Sequence, residues 1–200
     1  MPYKFLCKIS KIIVLPLICY LWLISGNANA EINDPSASAK DDFFKTVLNS
    51  RVTRYKKNLA KLAENPIIIS AVKDANNKPG SEHMNNIEWA ALEQNNPKVT
   101  ILSNNEVGYF IAQFEKSRAF EKLIVRDARG NLVSFSSINT KPLLYNNADR
   151  PSFINGLKGV WSDSEINPDP TTKKLAVQIS APVMDKGKVI GVIHSSVTAE

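Results

Sequence analysis

Apolar residues recur at Phe44, Leu48, Val52, Tyr55, Leu59 and Leu62. Steps of three and four draw one stripe down a helix, so residues 41–63 read as a single long amphipathic helix. Asp41 and Asp42 fall in its first turn, where carboxylates suit the positive end of the helix dipole. Asn65-Pro66 then breaks the pattern, because a proline disfavours helical geometry in the residue before it while suiting the first position of a new helix. Short helices are predicted over residues 66–75, 86–94 and 104–117, the last with Val107, Phe110, Ile111 and Phe114 on one side. Beyond residue 120 the period falls to two. Residues 122–126 and 132–136 form one predicted hairpin around Gly130, and residues 175–183 and 189–197 form a second around Asp185-Lys186-Gly187-Lys188. Between them lies a long connection over residues 139–174 that carries Tyr145, Phe153 and Trp161; a connection of that length in a compact domain is usually functional or holds further short elements. Helices followed by two antiparallel hairpins imply an α+β domain with one antiparallel sheet.

The N-terminus changes the picture of where this domain works. Lys4, Lys8 and Lys11 precede an apolar run from Ile12 to Ile24, and small residues close it at Ala28-Asn29-Ala30. That is the order of a secretory signal peptide, with cleavage expected after Ala30. The run is shorter than the roughly 20 residues a spanning helix needs, and Leu17-Ile18 before Cys19 do not form a lipobox. Residues 31–40 are expected to be a flexible leader, and residues 41–200 a single domain. Both cysteines, Cys7 and Cys19, fall in the segment removed, so the mature protein must hold together by burial without disulfides. The same cleavage leaves 22 basic and 19 acidic residues, a net charge of +3. The basic cluster of Lys45, Arg51, Arg54, Lys56, Lys57 and Lys61 reads as a solvated helix face, and no nucleic-acid partner is expected.

The chemistry available is sparse. Two histidines and no cysteine remain, without a metal-ligand spacing, a glycine-rich phosphate loop or a nucleophile elbow. Neither an enzyme nor a cofactor is expected. His83, beside Glu82, reads as a solvated surface residue; His194, in the last strand, is either a packed sheet residue or a ligand contact.

The run Leu123-Ile124-Val125-Arg126-Asp127-Ala128-Arg129-Gly130-Asn131-Leu132-Val133, then Asp149-Arg150-Pro151-Ser152-Phe153, then Ile179-Ser180-Ala181-Pro182-Val183 and Gly187-Lys188-Val189-Ile190-Gly191-Val192, resembles extracytoplasmic Cache sensor domains. The resemblance implies a PAS-like fold, with a long kinked N-terminal helix on one face of the central sheet and the insert on the other. It also implies a small molecule, an amino acid or carboxylate, enclosed between insert and sheet. The amino-acid-binding branch carries a Tyr, an Arg five residues later, aromatics two and three residues beyond, and an Asp late in the last strand. Tyr145, Arg150 and Phe153 match that spacing, whereas Ser152 replaces the first aromatic and Ser196 stands about where the Asp would be. By that resemblance Arg150 would grip a carboxylate through a two-pronged pair and Tyr145 would add a hydrogen bond. The missing Asp favours a non-amino carboxylate or another small anion. Arg150 could equally form a salt bridge to Asp149 or Asp163 that pins the insert, and Tyr145, Phe153, Trp161 and Trp89 could be core.

Strand parity adds a polar set. Gln178, Ser180, His194 and Ser196 alternate with Ile179 and Ile193 and so share one side of their strands. The candidate site is therefore Arg150, Tyr145, Phe153, Trp161, Gln178, Ser180, His194 and Ser196. The expected function is non-catalytic small-ligand binding in the periplasm. Because the sequence stops at Glu200, just after the last strand, a membrane signalling partner would have to be separate. The alternative is a structural module without a pocket, dimerising through the stripe Leu48, Val52, Tyr55, Leu59 and Leu62.

Overall fold

A computed structural model describes residues 35–80, 83–116, 120–163, 165–169 and 173–198. The signal peptide and its cleavage site lie outside these residues. Helix α1 runs Pro35–Ala63, so helix extends upstream of the expected start at Asp41 into the stretch read as a flexible leader. Polar, small residues there gave no stripe to read, yet alanine and serine do not break a helix that is already nucleated.

Asn65 ends α1 and opens α2 (Pro66–Asn77), its side chain accepting from the Ile67 N–H with Pro66 in the first turn. The same Asn-Pro device starts α4 (Pro97–Ser103), which the sequence reading missed. Between them α3 is a single turn, Asn86–Ala90, closed by a reciprocal Asn85/Glu88 capping box; it is shorter than the predicted 86–94. Helix α5 spans Glu106–Lys116.

Strands β1 (Lys122–Asp127) and β2 (Leu132–Phe135) follow, then α6 (Pro151–Leu157), β3 (Ser162–Asp163), β4 (Asn167–Pro168), β5 (Leu175–Asp185) and β6 (Lys188–Thr198). The insert therefore holds elements of its own, as its length implied. The sheet order is β2-β1-β6-β5-β3, with β4 also beside β5, and the pairings are antiparallel. Lys186 and Gly187 both take positive φ (50° and 81°), the two-residue turn whose twist matches a hairpin.

The two faces of the sheet differ. One, carrying Leu123, Val125, Val177, Ile179, Ala181, Ile193 and Val197, forms the main core with Leu48, Val52, Tyr55, Leu59 and Leu62 of α1. That stripe is buried against its own sheet, which corrects the alternative of a homodimer seam: the residues that would pair with a second copy are already covered. A smaller core gathers Trp89, Val99, Ile124, Leu132, Phe135 and Tyr145. Among the described residues no helix is long and apolar enough to cross a membrane.

Candidate functional site

The other face of the sheet is polar. Cross-strand register sets Lys122 opposite Ser196, Ile124 opposite His194, Gln178 opposite Ser196, and Ser180 opposite His194. These residues therefore stand side by side on one face, as the parity of β5 and β6 predicted. Helix α6 lies over it. Gly156 makes that approach close: a Cβ there would sit 2.8 Å from Val192 Cγ1. Phe153, buried, packs its ring 6.4 Å from that of His194.

Beneath α6 is a cavity of about 140 Å³, lined by Lys122, Arg126, Asn147, Gln178, Ser180 and His194 among others. At roughly 30 Å³ per water it has the room of four or five waters, enough for a small organic acid. Arg126 is held rigidly. One terminal nitrogen donates to the carbonyls of Gly130 (3.0 Å) and Tyr145 (2.6 Å), the other to that of Leu144 (2.9 Å). Its Nε–H is buried with no acceptor among the described residues. Burial pulls its pKa down to about 10, opposed by Asp127, so it stays cationic at neutral pH. Burial lowers Lys122 too, while Asp169 supports its charge.

His194 Nε2 and Asn147 Oδ1 are likewise buried without partners. Burial first, then the charges of Arg126 and Lys122, push His194 down to about 3. It is a neutral imidazole at physiological pH, with one donor and one acceptor. A buried polar atom left unpaired costs free energy, and three such atoms on residues lining one cavity mark a place where a ligand would supply the missing bonds.

The expected residues divide. Gln178, Ser180 and His194 line the cavity. Ser196 stands just behind, its hydroxyl donating to Asp169 Oδ2 (2.7 Å) and accepting from Gln178 Nε2 (2.7 Å). A carboxylate does therefore reach the Ser196 position, supplied by the insert and not by the last strand. Phe153 forms part of the roof.

Arg150 is elsewhere than expected: it caps the N-terminal end of α6 without lining the cavity, its side chain 56% exposed and its Nε 3.8 Å from Asp149 Oδ1. Trp161 is 37% exposed and does not line it either. Tyr145 points away, into a second cavity, and rests on Trp89 at 5.6 Å between centroids. Four residues of irregular chain separate Tyr145 from Arg150, and in such a segment spacing does not fix facing. His83 is not a free surface residue: it bridges Arg129 and Tyr145.

The residues the sequence reading missed, Lys122 and Arg126, lie on β1. The parity applied to β5 and β6 extends across the sheet to Lys122, Ile124 and Arg126 and would have found them.

No family model matches the sequence, and no curated protein does. Solved structures do match by fold. The sensor domain of the Vibrio cholerae histidine kinase DctB superposes with a TM-score of 0.57 at 15% identity, over 82% of this chain and 55% of that one. The chain has the PAS-like fold of Cache sensor domains. The ligand-binding domain of the Pseudomonas aeruginosa PAO1 chemoreceptor PctC, solved in complex with GABA, gives 0.47 at 15% identity over 82% and 62%. The Campylobacter jejuni chemoreceptor Tlp3 sensory domain, with isoleucine bound, gives 0.40 at 17% over 82% and 60%. The chain thus spans somewhat more than half the length of the domains it matches.

Proposed function

We propose that this protein is an extracytoplasmic, non-catalytic binding module of the sensor type, whose ligand is a small organic anion held between α6 and the polar face of the sheet. The observation that carries the reading is the cavity itself: the buried cation Arg126, whose Nε–H has no acceptor among the described residues, beside a half-buried Lys122 and a neutral His194. A carboxylate there would accept from Arg126 and Lys122, while a hydroxyl or keto group would meet His194 or Asn147. The likeness of fold supports this, since the DctB domain is the sensor domain of a histidine kinase.

A thermal-shift screen of acetate, pyruvate, lactate, malonate and succinate tests it. At least one should raise the melting temperature of the wild type, and Lys122→Met should abolish the shift. No shift with any of them, or an equal shift in the variant, overturns the assignment. Location is tested separately by intact mass of the periplasmic fraction: the N-terminus should be Glu31, as Ala28-Asn29-Ala30 directs. A chain retaining residues 1–30 would contradict it.

A further inference from the structure

The larger cavity, about 570 Å³, lies on the far side of Tyr145, between α2, α4, α5 and β2. Cavities that hold drug-sized molecules run from about 300 to 1,000 Å³. Its floor is apolar, built from Leu102, Val107, Leu132 and Val133, and its rim carries Asp74 and Glu106 against Lys78 and Lys98. The signs balance, so the rim does not select a strongly charged guest, in contrast to the cationic cavity under α6.

One group in the floor is unspent. Arg129 Nη2 lies 2.9 Å from His83 Nε2. A guanidinium can only donate, so Nε2 is the acceptor and the imidazole proton sits on Nδ1. That Nδ1–H is 3.2 Å from the Tyr145 hydroxyl oxygen, to which it must donate. The hydroxyl therefore serves as an acceptor, and its own proton has no acceptor among the described residues. Tyr145 is 5% exposed, so this is a buried, oriented donor lining an apolar cavity. A donor left unsatisfied in such a place is costly.

We propose that this cavity is a second ligand site, for an uncharged molecule with an apolar body and one carbonyl-type acceptor, a ketone, ester or amide, that takes the Tyr145 hydrogen bond. The site does not depend on the anion cavity, although the two share a wall, since the Tyr145 carbonyl holds Arg126.

The neutral fluorescent ketone 6-propionyl-2-dimethylaminonaphthalene is a suitable probe, because its emission reports both polarity and hydrogen bonding to its carbonyl. Titrated into the full chain it should bind saturably, one per molecule. Tyr145→Phe keeps the ring and removes the donor; it should weaken binding about three- to tenfold and shift the emission of the bound probe to the blue. Ala71→Trp, on the wall formed by α2, should fill the cavity and abolish binding while circular dichroism confirms the fold. Excess malonate, directed at the other cavity, should leave the probe bound. Absence of saturable binding, unchanged binding in Ala71→Trp, or displacement by malonate overturns the proposal. An unchanged affinity and emission in Tyr145→Phe overturns the anchor.

Discussion

Two arginines can be asked the same question. Arg126 is buried, fixed by three carbonyls and lines the cavity; Arg150 is 56% exposed, with Asp149 as its ionic contact. Arg126→Met takes a donor from each of those carbonyls, although Gly130 and Tyr145 keep their backbone partners, so it should cost stability on the order of 1–3 kcal/mol and remove anion binding. Arg150→Ala touches no buried partner and should move stability by less than about 0.5 kcal/mol. If Arg150 folds inward over a bound anion, affinity drops all the same; if affinity is untouched, its role in the site is refuted. Calorimetric titration and thermal melts on both variants separate these outcomes. The difference between them was not legible in the sequence. Arg150 matched a spacing, but a spacing read through irregular chain says nothing of direction. Arg126 stood in a strand, where parity does give direction.

Elements were easier to read than sites wherever one face is dry. The α1 stripe and the β5–β6 hairpin rest on strong periodicity, since each buries one side against the other. Helices α4 and α6 are short and were missed because seven residues give barely two turns of pattern. Their starts were nonetheless written: Pro97 and Pro151 each occupy the first turn, as Pro66 does. The position of α6 depends on Gly156, and this yields a prediction at the scale of the element. Gly156→Ala places a methyl 2.8 and 2.9 Å from the two Val192 γ-carbons, closer than packing allows, so α6 must lift. Overpacking of this kind costs about 1–3 kcal/mol, against a helix-propensity gain near 1 kcal/mol. Anion affinity should fall because the roof has moved. Val192→Ala removes both γ-carbons, and the double variant should recover affinity relative to Gly156→Ala alone. Additive losses in that cycle would mean the two residues do not press on each other.

At the scale of the whole molecule, two buried groups titrate in opposite senses, and the stability profile should carry both. His194 is depressed from 6.5 to about 3 by burial and by Arg126 and Lys122. Its contribution is present above pH 6.5 and is lost as pH falls toward 3, because the unfolded chain takes up the proton first. Glu115, in α5, behaves in reverse. Its Oε2 accepts from Asn139 Nδ2 at 2.7 Å, while its Oε1 is buried without a partner. Burial raises its pKa from 4.5 to about 8, opposed by the polar groups of Ser136, the Leu123 backbone and Asn139 beside it; Glu121 adds to the rise, and Lys122 is the cation within range. The folded state therefore keeps a proton that the unfolded chain gives up above pH 4.5. Its stabilising contribution is complete below that pH and is lost as pH rises through 8. Ligand-free wild type should lose stability from pH 6.5 to 8.5, where His194 is already neutral in both states and Glu115 is the raised carboxyl still changing. Glu115→Gln keeps the shape and cannot ionise, so its profile should be flatter over that interval, and the two profiles should run parallel only below about pH 4.5. Denaturant melts of both proteins at half-unit steps would show it, and parallel profiles above pH 6.5 would remove Glu115 as the cause.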